Sequence, residues 1–158
     1  MKHQPTDQST TRSRAAVRYI LGSLLAFGAL NAFAGGFYGL SGAENIPMEW
    51  LEGSPFTSYF IPSLFLFVVV GGSFLASSIT VFARSRFDRL FALGTGILVL
   101  SWIAVQVAII GLISWMQPTT AGAGVLVLVL AWLLPASSRN RISLKRYPPN
   151  VYDSRPWP

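Results

Sequence analysis

The sequence predicts an all-α membrane protein, an antiparallel bundle of four transmembrane helices with a short extracytoplasmic lid helix between helices 1 and 2. Three observations carry this expectation. Of 158 residues, 52% are hydrophobic and only 11% charged, whereas soluble domains carry roughly a quarter charged residues. The apolar residues are gathered into four runs, each near the ~20 residues that cross a bilayer as a helix. All 12 Lys and Arg residues fall in the N-terminal tail, the 84–89 turn or the C-terminal tail. With four spans those three segments share one side, so the excess of basic residues places both termini in the cytoplasm and the chain in a bacterial plasma membrane.

Residues 1–18 are polar and basic, with Lys2, Arg12, Arg14 and Arg18 against Asp7, and a mobile tail is expected because little there can be buried. The first helix is expected over about 19–40. It contains Gly22, Ala26, Gly28, Gly35, Gly36 and Gly39; Gly35 and Gly39 form a GxxxG pair of the kind that lets two helices approach closely in lipid. The same segment has a second reading as a signal peptide, with a basic leader, an apolar stretch and cleavage after Ala34 in Ala32-Phe33-Ala34. The apolar character continuing to Leu40 favours a full span.

The outer loop, 41–60, holds Glu44, Glu49 and Glu52, opposite in sign to the three basic segments. Pro47 suits the first turn of a helix and Gly53 its end, which predicts a lid helix over about 47–52. Trp50 fits the headgroup level, and Phe56, Tyr59 and Phe60 are expected to form an aromatic collar at the mouth of the next helix. That second helix is expected over 61–83, with Gly71 and Gly72 permitting close approach of a neighbour. The Arg84, Arg86 and Arg89 turn leads into a third helix over 90–115. A turn at 116–120 precedes the fourth, over 119–134. The domain layout is thus a tail, 1–18, a four-helix domain, 19–136, and a second basic tail, 137–158.

The net charge of +6 is explained by position, because Arg84, Arg86, Arg89, Arg139 and Arg141 sit where they meet anionic lipid headgroups. The bilayer is the expected partner, together with a membrane protein or a second copy of the chain; nucleic acid is not. Absence of cysteine excludes disulfides and thiolate metal sites in this chain. The single histidine, His3, lies in the tail, so no metal or cofactor is expected. No ionisable residue falls within the four predicted spans, where ion carriers and proton pumps place them. Of the polar residues there, Asn31 and Gln106 need amide partners, supplied by a hydrogen bond between helices or by a ligand. Glu49 and Glu52 read as a solvated face, with a cation site or acid–base pair as the sharper alternative. Trp50, Tyr59, Trp102, Trp115 and Trp132 read as interfacial or lipid-contacting anchors.

Arg18, Gly22 and Gly28 in the first helix, and Val69-Val70-Gly71-Gly72 in the second, together with the long first loop and short later turns, resemble the DoxX-like superfamily of small bacterial four-helix membrane proteins. The resemblance covers about the first half of the chain and implies the four-helix plan. The charged residues common within the first two helices of that group are missing, so a shared redox-partner role does not carry over. The expected function is non-catalytic: an accessory or assembly subunit packing against membrane partners or lipids through its glycine faces. The alternative is a facilitator or carrier of a neutral or apolar small molecule, which requires a cavity around Gln106 and Asn31. A lipid-acting enzyme using Glu49 and Glu52 is third.

Overall fold

A computed structural model describes residues 6–134, with side chains from Arg12 onward. Helix α1 spans Thr6–Leu40 and is followed by a single 3-10 turn, Met48–Leu51. The next helix is continuous in three parts: α2, Phe60–Phe65, a π-helical segment, Leu66–Gly71, and α3, Gly72–Phe82. Helices α4, Asp88–Ile110, and α5, Met116–Leu133, complete the chain. Four stretches are long and apolar enough to cross a membrane: Arg12–Leu40, Phe60–Phe82, Asp88–Ile110 and Met116–Leu133.

Three boundaries differ from expectation. Helix α1 begins at Thr6 instead of near residue 19, so the polar leader is a helical extension of the span. No Pro or Gly interrupts 6–18, and adding a residue to an existing helix is easier than nucleating one. Helix α4 stops at Ile110, not Trp115, because Gly111 takes φ 75° and turns the chain. Helix α5 accordingly starts at Met116, with Pro118 in its first turn, where a missing N–H leaves no bond unmade.

Apolar side chains from all four spans meet in one core that includes Leu21, Leu25, Phe74, Val99, Val127 and Ala131. Between α1 and the second span the fit is set by glycine. A Cβ added at Gly22 would lie 2.7 Å from the Phe82 ring, at Gly28 2.5 Å from the Phe74 ring, and at Gly71 2.8 Å from the Phe33 ring. Of the four glycines expected to pack helices, Gly39 and Gly71 do so. Gly35 makes only ordinary contact with Leu66, and Gly72 has nothing beside it. The tight partner of Gly39 is Gly36, three residues before it and on the same face, where a Cβ would meet the backbone of Phe67.

Polar links reinforce the packing at one end of the molecule. The Ser77 and Thr95 hydroxyls lie 2.7 Å apart, joining α3 to α4, and Ser78 donates to the Gly22 carbonyl at 3.0 Å. Arg18 and Asp88 form an ion pair at 2.7 Å, with Asp88 fully buried. The same Arg18 guanidinium nitrogen donates to the Val81 carbonyl at 2.9 Å. Both residues lie just outside the predicted spans 19–40 and 90–115, but within the longer helices that form. Arg18 lies inside α1 and Asp88 is the first residue of α4, where exposed backbone N–H groups favour a carboxylate. The pair ties α1, α3 and α4 together.

Candidate functional site

Helix α4 packs on α3 and α5 but scarcely meets α2. The gap is a cavity of about 550 Å³ at the end of the molecule away from the ion pair. Gly35, Tyr38 and Gly39 of α1 form one wall, Ser63 and Leu66 a second, and Trp102, Ile103, Gln106 and Ile110 of α4 a third. Val70 and Val99 close its floor. Ile46, Trp50, Leu51, Phe56 and Tyr59 from the 41–59 connection lie over its entrance. Among the described residues, no charged side chain lines it.

The connection holds its shape through local hydrogen bonds. The Tyr59 hydroxyl donates to the Pro47 carbonyl at 2.6 Å, the Ser54 hydroxyl donates to the Leu51 carbonyl at 2.7 Å, and the Tyr38 hydroxyl bonds the Glu44 carbonyl. Tyr59 therefore clamps the start of the 3-10 turn to the start of α2. Of the expected aromatic collar, Phe56 and Tyr59 face the cavity while Phe60 is exposed.

Burial raises the Tyr59 hydroxyl above its ordinary value of 10.0. A group whose folded value is raised contributes stability that is intact below the unfolded value and is lost as pH rises through the folded one. Once ionised, the oxygen has no proton to donate to Pro47. Raising the pH above 10 is thus expected to release the turn, read as a change in Trp50 fluorescence, and Tyr59→Phe is expected to abolish that transition. An identical alkaline transition in the Phe variant would disprove the clamp.

The predicted site residues separate on inspection. Gln106 faces the cavity, and its amide has no hydrogen-bond partner among the described residues. Asn31 does not join it. Its amide donates to the Phe27 carbonyl one turn back at 2.8 Å on an exposed face, satisfying itself within its own helix in place of the expected bond between helices. Glu49 and Glu52 are exposed and neither lines the cavity; a carboxylate on an exposed turn keeps its solvation, and among the described residues neither side chain has an ion-pair partner. Trp50 covers the entrance. Trp102, expected at the lipid interface, instead lines the cavity with Phe65 stacked behind it, centroids 4.4 Å apart and planes 24° from parallel. Trp115 and Trp132 are exposed.

Two polar residues escaped sequence reading. Ser63 is 8% exposed, lines the cavity and has a hydroxyl without a hydrogen-bond partner. Its signal is faint, one serine after a proline in an apolar run. Gln117 is buried beneath the 111–115 loop, accepting from the Ile113 N–H at 3.0 Å and donating to the Gly111 carbonyl at 3.1 Å. A glutamine just before a proline between apolar runs is the clue that a loop, not a helix, precedes it.

At the opposite end, Arg86 lies over the Phe87 ring at 4.5 Å and Arg89 over the Trp132 ring at 4.8 Å. Arg84 turns the chain with φ 52°. Arg139 and Arg141 lie outside the described residues. The chain is all-helical over its described residues, with four helices suited to a membrane. Comparisons with protein-family models, curated proteins and solved structures found no match to it.

Proposed function

We propose that this chain is an antiparallel four-span protein of a bacterial plasma membrane, termini cytoplasmic, that binds a neutral apolar small molecule and carries it between the helices. The Met48–Leu51 turn is the lid of that site. The observation that carries the reading is the uncharged cavity of about 550 Å³ between α2 and α4, within the range of about 300–1,000 Å³ that holds one small molecule. Among its polar lining residues, Tyr38, Ser54, Tyr59 and Gln117 bond within the protein, whereas Ser63 and Gln106 have side-chain hydrogen-bonding capacity that the described residues leave unused.

The accessory-subunit reading loses its main support, because Gly22, Gly28, Gly36, Gly39 and Gly71 are filled by side chains or backbone of the same chain. It keeps one: Gly94 on α4 and Gly122 on α5 are exposed, with nothing within 4 Å of an added Cβ, so a partner helix has room to approach there. Anionic headgroups at Arg84, Arg86 and Arg89 suit either reading.

Ile103→Trp places an indole in the cavity. The variant is expected to keep the fold and lose at least tenfold in uptake of apolar solute into liposomes, or in bound apolar molecule detected by native mass spectrometry. Equal binding and uptake by both proteins, or recovery of the wild-type protein only in a stoichiometric complex with an empty cavity, would overturn the carrier reading and favour the accessory one.

A further inference from the structure

The cavity has a polar level and an apolar level, and their depths can be read from the helices that line it. Ser63 is three residues in from the start of α2 and Gln106 four residues in from the end of α4. At 1.5 Å per residue both stand about 5 Å below the covering connection. Val70 and Val99, at the floor, are ten and eleven residues in, about 15 Å down. That is half of the ~30 Å hydrocarbon thickness of a bilayer. The cavity therefore has the depth of one leaflet, with hydrogen-bonding groups near its headgroup end and hydrocarbon below.

Accepting that the cavity binds a ligand, we infer that it takes a neutral single-chain amphiphile from the leaflet on the side of the 41–59 connection. Such a molecule has one hydrocarbon tail and an uncharged hydroxyl, ester or amide head. The tail runs down between Leu66 and Ile103 to Val70 and Val99. The head meets the Gln106 amide from α4 and the Ser63 hydroxyl from α2. Ser63 is more than nine-tenths buried and its hydroxyl has no partner in the protein, so in a dry cavity it gains a hydrogen bond only from a ligand or a water. A charged head is disfavoured because, among the described residues, no basic or acidic side chain lines the space to offset its desolvation. The volume suits one chain of small-molecule size and not a diacyl lipid with its headgroup.

The test uses the purified full chain in lipid nanodiscs, with three probes of equal chain length: a monoacylglycerol, the corresponding fatty acid above its titration, and the n-alkane. Binding is read by quenching of the cavity tryptophans and by native mass spectrometry. The monoacylglycerol is expected to bind tightest. Gln106→Leu is expected to weaken it about three- to tenfold, the worth of one neutral hydrogen bond, while leaving alkane binding unchanged. Ser63→Ala, which removes the Oγ that lies against Gly39 and keeps the Cβ behind it, provides a second reading of the same effect should the first variant fold poorly. If the alkane binds as well as the monoacylglycerol, or if both variants retain full affinity for it, the inference about the head fails while the apolar binding site stands. If the anionic fatty acid binds best, the assignment of an uncharged head is wrong. If no probe binds, and Ile103→Trp behaves as wild type, the binding reading fails altogether.

Discussion

Arg18→Met is expected to destabilise the protein by about 3 kcal/mol, the lower end of the range for stranding one partner of a buried ion pair. The lower end applies because the Arg18 side chain retains 13% exposure, so part of its charge is already solvated. What remains after the substitution is a fully buried Asp88 carboxylate whose surviving partner is the Arg89 backbone N–H at 2.6 Å. The Val81 carbonyl loses its donor as well. Because the guanidinium bridges α1, α3 and α4, the loss is expected to appear in global unfolding and not as local fraying. Pairing Arg18→Met with Asp88→Leu removes both charges and is expected to recover most of the loss, since well-packed apolar replacements of buried pairs are often neutral. The measurement is thermal or denaturant unfolding in mild detergent of wild type, both single variants and the double variant. Equal stability of the single variants and wild type would show that water reaches Asp88 freely and that the pair is incidental.

The second large effect is a contrast between two glycines. An alanine at Gly36 would put its Cβ 2.8 Å from the Phe67 nitrogen and 2.9 Å from its Cα. These are backbone atoms, so no rotamer change relieves the clash and α1 must move away from the second span. Overpacking of this kind costs about 1–3 kcal/mol, and the rigid obstacle places Gly36→Ala at the upper end. Because Gly36 adjoins the cavity wall formed by Gly35 and Gly39, the same variant is expected to change cavity volume and ligand capacity. Gly72→Ala, by contrast, meets nothing within 4 Å and is expected to be neutral or to gain up to about 1 kcal/mol from helix propensity. Unfolding of the two variants side by side gives the answer; if both lose stability equally, close packing of α1 on the second span is not what Gly36 provides.

The spans were legible because hydropathy acts over whole segments, and a wrong reading of a few residues leaves a run of about twenty apolar positions intact. The position of the cavity was half legible. Gln106 could be singled out because an amide in a long apolar run has to find a use, but nothing local distinguished it from Asn31, whose amide is satisfied by Phe27 in its own helix. The end of α4 was not legible, because residues 111–115 are as apolar as a helix interior and differ only in the backbone turn at Gly111. The ion pair was hidden by separation: Arg18 and Asp88 are 70 residues apart, and each sits at a margin where a basic or acidic residue looks like surface. A GxxxG spacing marks Gly35 and Gly39, whereas the approach of the second span selects Gly36 and Gly39.

The π-helical segment Leu66–Gly71 has a bearing on how this chain should be set against others. A π turn holds an extra residue in a helix, and one residue added or removed rotates everything on one side of it by about 100° relative to the other. Ser63 and Phe65 lie on one side and Phe74, Ser77 and Val81 on the other. A chain without that residue would keep the same hydropathy and nearly the same span length, yet would turn Ser63 off Gly39 and away from the cavity. Gapless alignment across 66–71 would then pair cavity-facing positions with outward-facing ones. In this helix a single-codon insertion or deletion re-aims the cavity wall, which a substitution that preserves apolar character does not.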